Sequence, residues 1–114
     1  MASLADKLRA QREGRVEVMP GKWVRFLRPP EIDFVRLRGG VLAEHVCEYV
    51  TGWDGITEAD VLGAGIGASD PAEFSPELWA EYARDRVDVV GKVAQAIADA
   101  ITLHLEQRSA AAKN

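Results

Sequence analysis

Residues 49–60 read Tyr49-Val-Thr-Gly-Trp-Asp-Gly-Ile-Thr-Glu-Ala-Asp60. An apolar helical pattern stops here and an irregular middle segment begins. Leu42, Val46, Tyr49 and Val50 recur at helical spacing, so a helix is expected from Val41 to about Thr51. Gly52 suits the left-handed position just past a helix end, and Trp53 stands where a hydrophobic contact commonly closes such a cap. Asp54-Gly55 then turns the chain away. The stretch is therefore expected to be a structural hinge, with Trp53 packed back on the helix that precedes it. It separates a front half built on a hairpin from a back half built of helices.

Working back from the hinge, residues 30–51 are expected to hold two helices. Pro29-Pro30 ends a strand, and Pro30 suits the first position of a helix, where its missing N–H costs nothing. Ile32 and Val35 offer that helix an apolar side, and Gly39-Gly40 breaks it. Residues 15–28 read as a β-hairpin. Arg15-Val16-Glu17-Val18 alternates polar and apolar, Pro20-Gly21 supplies a turn, and Lys22 to Arg28 returns with aromatic and β-branched residues. Val24 and Phe26 share one face, and Trp23, Arg25 and Leu27 the other. Neither face is purely polar, which is compatible with cover on both sides. A lone hairpin is not stable, so it has to pack on helices or pair with another chain's edge. Residues 1–14 are the basic lead segment, with a short helix expected over 3–12, capped by Ser3 with Asp6 supporting its first turn, and stopped at Gly14.

Working forward, residues 54–73 carry no sustained period and are expected to be a long loop with one helical turn at 57–62. Phe74-Ser75-Pro76-Glu77-Leu78-Trp79 is a strong helix start: Ser75 caps, Pro76 is the first helical residue, and Phe74 with Trp79 has the spacing of a hydrophobic staple. Helices are expected over 75–108. Asp85 either caps a new helix or lies within a continuing one. In the last helix Val87, Val90, Ala94, Ile97, Ile101 and Leu105 fall at three-and-four spacing, with Val93 widening the stripe. Residues 109–114 are expected to fray. The fold class is thus α+β, mostly α: a two-stranded hairpin packed on a small helical domain with a long C-terminal amphipathic helix. At 114 residues this is one domain.

Composition limits the function classes. The chain carries a net charge of −4, and an acidic whole argues against non-specific nucleic-acid binding. The charge is uneven. Residues 1–40 hold nine Lys/Arg against five Asp/Glu, a net +4, and residues 41–114 hold five against thirteen, a net −8. The basic front suits an acidic partner or the acidic back of another copy. No apolar run is long enough to span a membrane, the first residues lack a signal-peptide pattern, and the single cysteine, Cys47, cannot form an internal disulfide. The expected location is the cytoplasm.

The motifs that could carry chemistry fail on context. Gly63-Ala64-Gly65-Ile66-Gly67-Ala68 has dinucleotide-loop spacing, but only two apolar residues precede it and Pro71 follows before a helix could begin. His45 and Cys47 are two apart on an expected helix and point to different sides. Asp54, Glu58 and Asp60 lack the calcium-loop pattern. No nucleophile has a recognisable base beside it. The sequence therefore supports no catalytic, cofactor or metal residues and no enzymatic activity. Of the three tryptophans, Trp53 and Trp79 are expected in the core, and Trp23 at an interface.

Several segments resemble the tail assembly chaperones of long-tailed bacteriophages (siphophages) and prophages. They are the basic lead segment Lys7 to Arg15 and the hairpin Val16 to Pro29 with its Arg-Pro-Pro end. The turn Val50-Thr51-Gly52-Trp53-Asp54-Gly55-Ile56 and the helix start Phe74-Ser75-Pro76-Glu77-Leu78-Trp79 complete the likeness. The resemblance implies a non-enzymatic role in virion morphogenesis in the bacterial host cytoplasm. Such proteins bind the tape-measure protein, keep its apolar helices soluble and recruit tail-tube subunits. Trp23, Arg25, Phe26 and Arg28 are the expected partner contacts, and a homo-oligomer is compatible with the charge split. Two other classes remain open. One is a structural virion protein such as a head–tail connector or completion protein, marked by presence in purified particles. The other is a small mobile-element regulatory protein that binds a host factor or nucleic acid, marked by salt-dependent DNA binding.

Overall fold

A computed structural model describes residues 2–41, 43–63 and 65–113. The fold is α+β. Helix α1 (Leu4–Gln11) leads into a three-stranded antiparallel meander, β1 (Glu13–Met19), β2 (Lys22–Leu27) and β3 (Val50–Asp54), with β2 central. A 3-10 turn (Glu31–Asp33) and helix α2 (Ala43–Tyr49) lie between β2 and β3. Helices α3 (Glu58–Leu62), α4 (Pro76–Arg84) and α5 (Val87–Lys113) follow. The sheet's inner face presents the buried Val18, Val24, Phe26 and Trp53, and α5 crosses it with Val89, Val90, Val93 and Ile97 buried. Helices α2 and α4 pack against α5 and against each other. No helix of the described residues is long and apolar enough to cross a membrane.

Strand β3 is where the expected hinge gives way. Tyr49 ends α2 and Val50 begins the strand at once, pairing with Phe26, while Trp53 pairs with Val24. Gly52 is thus a strand residue opposite Arg25, not a helix cap, and a Cβ there would lie 2.6 Å from the Arg25 guanidinium. Trp53 is buried as expected but does not pack back on α2. Its ring meets Phe74 and Tyr82 edge-on at 5.3 and 5.8 Å, and its Nε1 donates to the Ala72 carbonyl at 2.8 Å. The third strand resolves the marginal stability of the hairpin, whose inner face packs on α5.

Local signals otherwise place the elements well. The Ser3–Asp6 capping box is complete, and Gly21 takes φ +74° in the turn between β1 and β2. Ser75 Oγ accepts from the Leu78 N–H at 3.0 Å, with Pro76 as the first helical residue. Four expectations are corrected. Helix α1 ends at Arg12, within the expected 3–12, but Gly14 is not its stop: it already lies in β1, with the tip of the Phe26 ring against it. Residues 31–39 form a 3-10 turn followed by further hydrogen-bonded turns rather than an α-helix, leaving Ile32 and Val35 exposed while Leu37 is buried. Phe74 meets Trp53 edge-on instead of stapling to Trp79. Val87 is 80% exposed, because the side of α5 that meets the sheet is centred on Val89 and Val93. The α4–α5 break falls at Asp85 and Arg86, and α5 continues through the tail to Lys113. Leu42 and Ala64, which belong to the expected α2 stripe and glycine loop, lie outside the described residues.

Residues 54–73 are tied rather than loose. Thr57 and Asp60 form a capping box on α3, and Lys22 pairs with Asp60. The returning chain pairs through Glu58 N to Asp70 O and Ala72 N to Ile56 O, at 3.0 and 2.9 Å. Gly67 sits against the Glu58 carbonyl, where a Cβ would stand 2.4 Å from that oxygen.

Tyr49 anchors the 31–39 segment to α2. Its hydroxyl donates to Asp33 at 2.8 Å and accepts from Arg36, which also pairs with Glu48. Burial, then the bond to Asp33, pushes the Tyr49 hydroxyl up to about 12 from an ordinary 10.0. The unfolded chain therefore loses this proton first. Stability from Tyr49 is whole below pH 10 and is lost as pH rises towards 12. Tyr49→Phe is expected to shrink the fall in urea midpoint between these limits. Part of the fall persists, since burial also raises Tyr82.

Candidate partner-binding surface

Strand alternation sends Trp23 and Arg25 to the sheet face opposite the core. Arg15 and Glu17 stand beside them on β1, and Asp54 on β3. This outer face is open: Arg15, Glu17, Arg25, Thr51 and Asp54 are exposed and Trp23 is half-buried. The Arg15 guanidinium lies 4.2 Å over the Trp23 ring, and Arg25 Nε is 3.1 Å from Asp54. Trp23 thus presents an aromatic surface already flanked by cations.

The structure brings together two of the four expected contact residues. Phe26 points to the opposite face, buried against Gly14, and is not accessible to a partner in the folded domain. Arg28 lies beyond the end of β2, half-buried in a cleft with Arg12 and His104. Burial, then the neighbouring Arg12 guanidinium, holds Arg28 below its ordinary value. Glu31 closes the cleft, accepting from His104 at 3.2 Å and from Arg108. Those bonds, His104 first, hold its carboxyl below the usual range. No serine, cysteine or lysine is among the described residues that line this cleft.

A feature that sequence reasoning missed lies alongside. From Leu105 to Lys113 every residue of α5 is exposed. Phe34, Val35, Leu37, Arg38, Ile101 and Leu105 line an open apolar groove of about 350 Å³. The amphipathic stripe is the signal for it: the stripe continues past the last residue that the sheet can cover. A radius of gyration of 15.8 Å, against about 13 Å for a compact chain of this length, reflects that projection.

The other candidates are held structurally. Asp54 pairs with Arg25 and Asp60 with Lys22, Cys47 is exposed on α2, and His45 lies 3.9 Å from Glu44. Among the described residues no group of three or more His, Cys, Asp or Glu is placed to hold a metal ion. Gly63 and Gly65 take φ +108° and +84°, and Gly63 O accepts from Ile66 N and Gly67 N, closing a tight loop. No family model, characterised protein or solved structure matches the chain.

Proposed function

We propose that this chain is a non-enzymatic tail-assembly protein of a bacteriophage or prophage, a chaperone that binds the tape-measure protein before the tail tube forms. The observation that carries the reading is the open outer sheet face, with Trp23 stacked under Arg15 and Arg25 beside it. Aromatic and arginine side chains are those that most often dominate binding energy. The apolar groove along the projecting end of α5 supports the same reading, since an amphipathic helix of a client fits such a groove. The sequence resemblance supplies the client.

The test is a pull-down of the tape-measure protein by the wild type and by Trp23→Ala with Arg25→Glu. Retention is expected to fall about tenfold or more, as for the loss of dominant contacts. The melting temperature should change little. Trp23 is only half-buried, and an ion pair as exposed as Arg25–Asp54 contributes about 0–1 kcal/mol. Undiminished retention by the double variant would remove the outer face from the client contact.

A further inference from the structure

We infer that the cleft between the end of α1, the end of β2 and α5 binds a small dianionic phosphate group. Arg12 caps α1 and Arg28 directly follows β2. The backbone holds the two together, the Arg28 N–H donating to the Arg12 carbonyl at 2.7 Å. Both residues are half-buried and line the same cleft of about 320 Å³. Two like charges are thus kept together and partly out of water, an arrangement that costs stability unless an opposite charge joins them. The lowered pKa of Arg28 has the same two causes, burial first and then Arg12.

The protein's own carboxylates leave that charge unmatched. Arg28 donates to the Pro29 carbonyl at 2.6 Å, and the Arg12 side chain has no hydrogen-bond or ion-pair partner among the described residues. Glu31 at the edge of the cleft is engaged by His104 and Arg108 of α5, and it acts on Arg28 less than Arg12 does. Glu13 lines the adjoining side, exposed, and pairs with neither arginine. Three guanidiniums therefore gather around one carboxylate that is already in use.

The chemistry selects the ligand. A carboxylate is matched by a single arginine fork, whereas a phosphate offers several oxygens and about two negative charges, enough for two forks from different elements. The chain as a whole carries −4, so the positive potential is confined to the cleft and does not run along a track of the kind a nucleic acid needs. The cleft volume lies at the lower end of the range for small-molecule sites, roughly 300–1,000 Å³. Leu8 and Pro30 give it an apolar wall, which suits the organic part of a phosphate monoester. Inorganic phosphate carries the same charge without that part. The site uses neither Trp23 nor Arg25 and needs no client protein, so it stands or falls apart from the proposed function.

An NMR titration of the isotope-labelled full chain tests this, at about pH 8, where a phosphate monoester is dianionic, and at constant ionic strength. Inorganic phosphate and phenyl phosphate are the probes, and acetate is the monoanion control. Saturable shifts are expected at the amides of Arg12, Arg28, Glu31 and His104. Half-saturation should come at about 1 mM or below, the affinity that two charge-assisted contacts support. Tighter binding of phenyl phosphate assigns the site to a monoester held against Leu8 and Pro30, and equal or weaker binding assigns it to free phosphate. Arg12→Gln and Arg28→Gln should each weaken binding about tenfold or more. Arg84→Gln removes the same charge from an exposed position on α4 and should leave binding unchanged. Glu31→Gln removes the competing carboxylate and should tighten binding severalfold, a gain that an unfolded variant cannot give. Amide dispersion shows whether each variant is folded. Shifts that grow linearly with both probes or centre elsewhere, equal saturation by acetate, folded Arg12→Gln and Arg28→Gln variants that bind like the wild type, or a Glu31→Gln variant that binds no more tightly would each overturn the proposal.

Discussion

Trp53→Ala is expected to lower the unfolding free energy by about 3–5 kcal/mol, the range for truncating a buried aromatic residue. Trp53 is only 5% exposed, and it joins three parts of the chain. Its backbone pairs with Val24 in the centre of the sheet. Its ring makes edge contacts with Phe74 and with Tyr82 of α4. Its Nε1 donates to Ala72, which holds the returning end of the middle segment. Truncation leaves a cavity among all three and strands a carbonyl. A domain of this size has about 5–15 kcal/mol in total, so the urea midpoint should fall steeply. A conservative pair separates the hydrogen bond from the area. Trp53→Phe loses that bond, worth about 0.5–1.5 kcal/mol, as well as area. Trp79→Phe loses area alone, because the buried Trp79 Nε1 has no acceptor. Trp53→Phe should therefore cost more. The reverse order in urea midpoints would show that the Ala72 bond contributes nothing.

Gly55→Val is the second large effect, with an expected loss of about 2 kcal/mol or more from left-handed strain in a β-branched residue and displacement of a neighbour. Gly55 has φ +82°, and a Cβ there would stand 2.7 Å from the Gly21 carbonyl. That oxygen belongs to the backbone of the β1–β2 turn, where Gly21 itself has positive φ. The two turns meet glycine to glycine, next to Lys22 and its pairing with Asp60. The valine would push them apart. Gly65→Val is the control, since φ is +84° with nothing within 4 Å. It carries the backbone strain without the collision. Thermal unfolding should rank Gly55→Val as the more damaging, and equal shifts would mean that the close approach of the turns has no energetic weight.

The candidate surface was half legible. Alternation along Lys22–Leu27 separates Trp23 and Arg25 from Val24 and Phe26, and the structure keeps that separation. Which side faces inward was not legible, because each side carries an aromatic ring and neither is purely polar. Gly14 is part of that choice: a Cβ there would stand 2.7 Å from the Phe26 ring, so the glycine leaves room for the ring on the inner face. The uncovered end of α5 and the exposed Leu4 and Leu8 have the same origin. Periodicity marks which residues are apolar, and only the arrangement of elements shows which of them remain without cover.

What the sequence by itself determined is local. The Ser3–Asp6 and Ser75–Leu78 caps, the Pro20-Gly21 turn and the long helix at the C-terminus depend on groups within a few residues of one another, and all appear in the structure. What only the tertiary structure decided is long-range. Residues 50–54 form a strand because β2, more than twenty residues earlier, offers them an unpaired edge. Trp53 turns to Phe74 and Tyr82, not back to α2, because the strand carries it there. The face of α5 that is buried is the one the sheet can reach. Local preference over a few residues leaves such choices nearly degenerate in energy, and pairing and burial between distant segments break the tie.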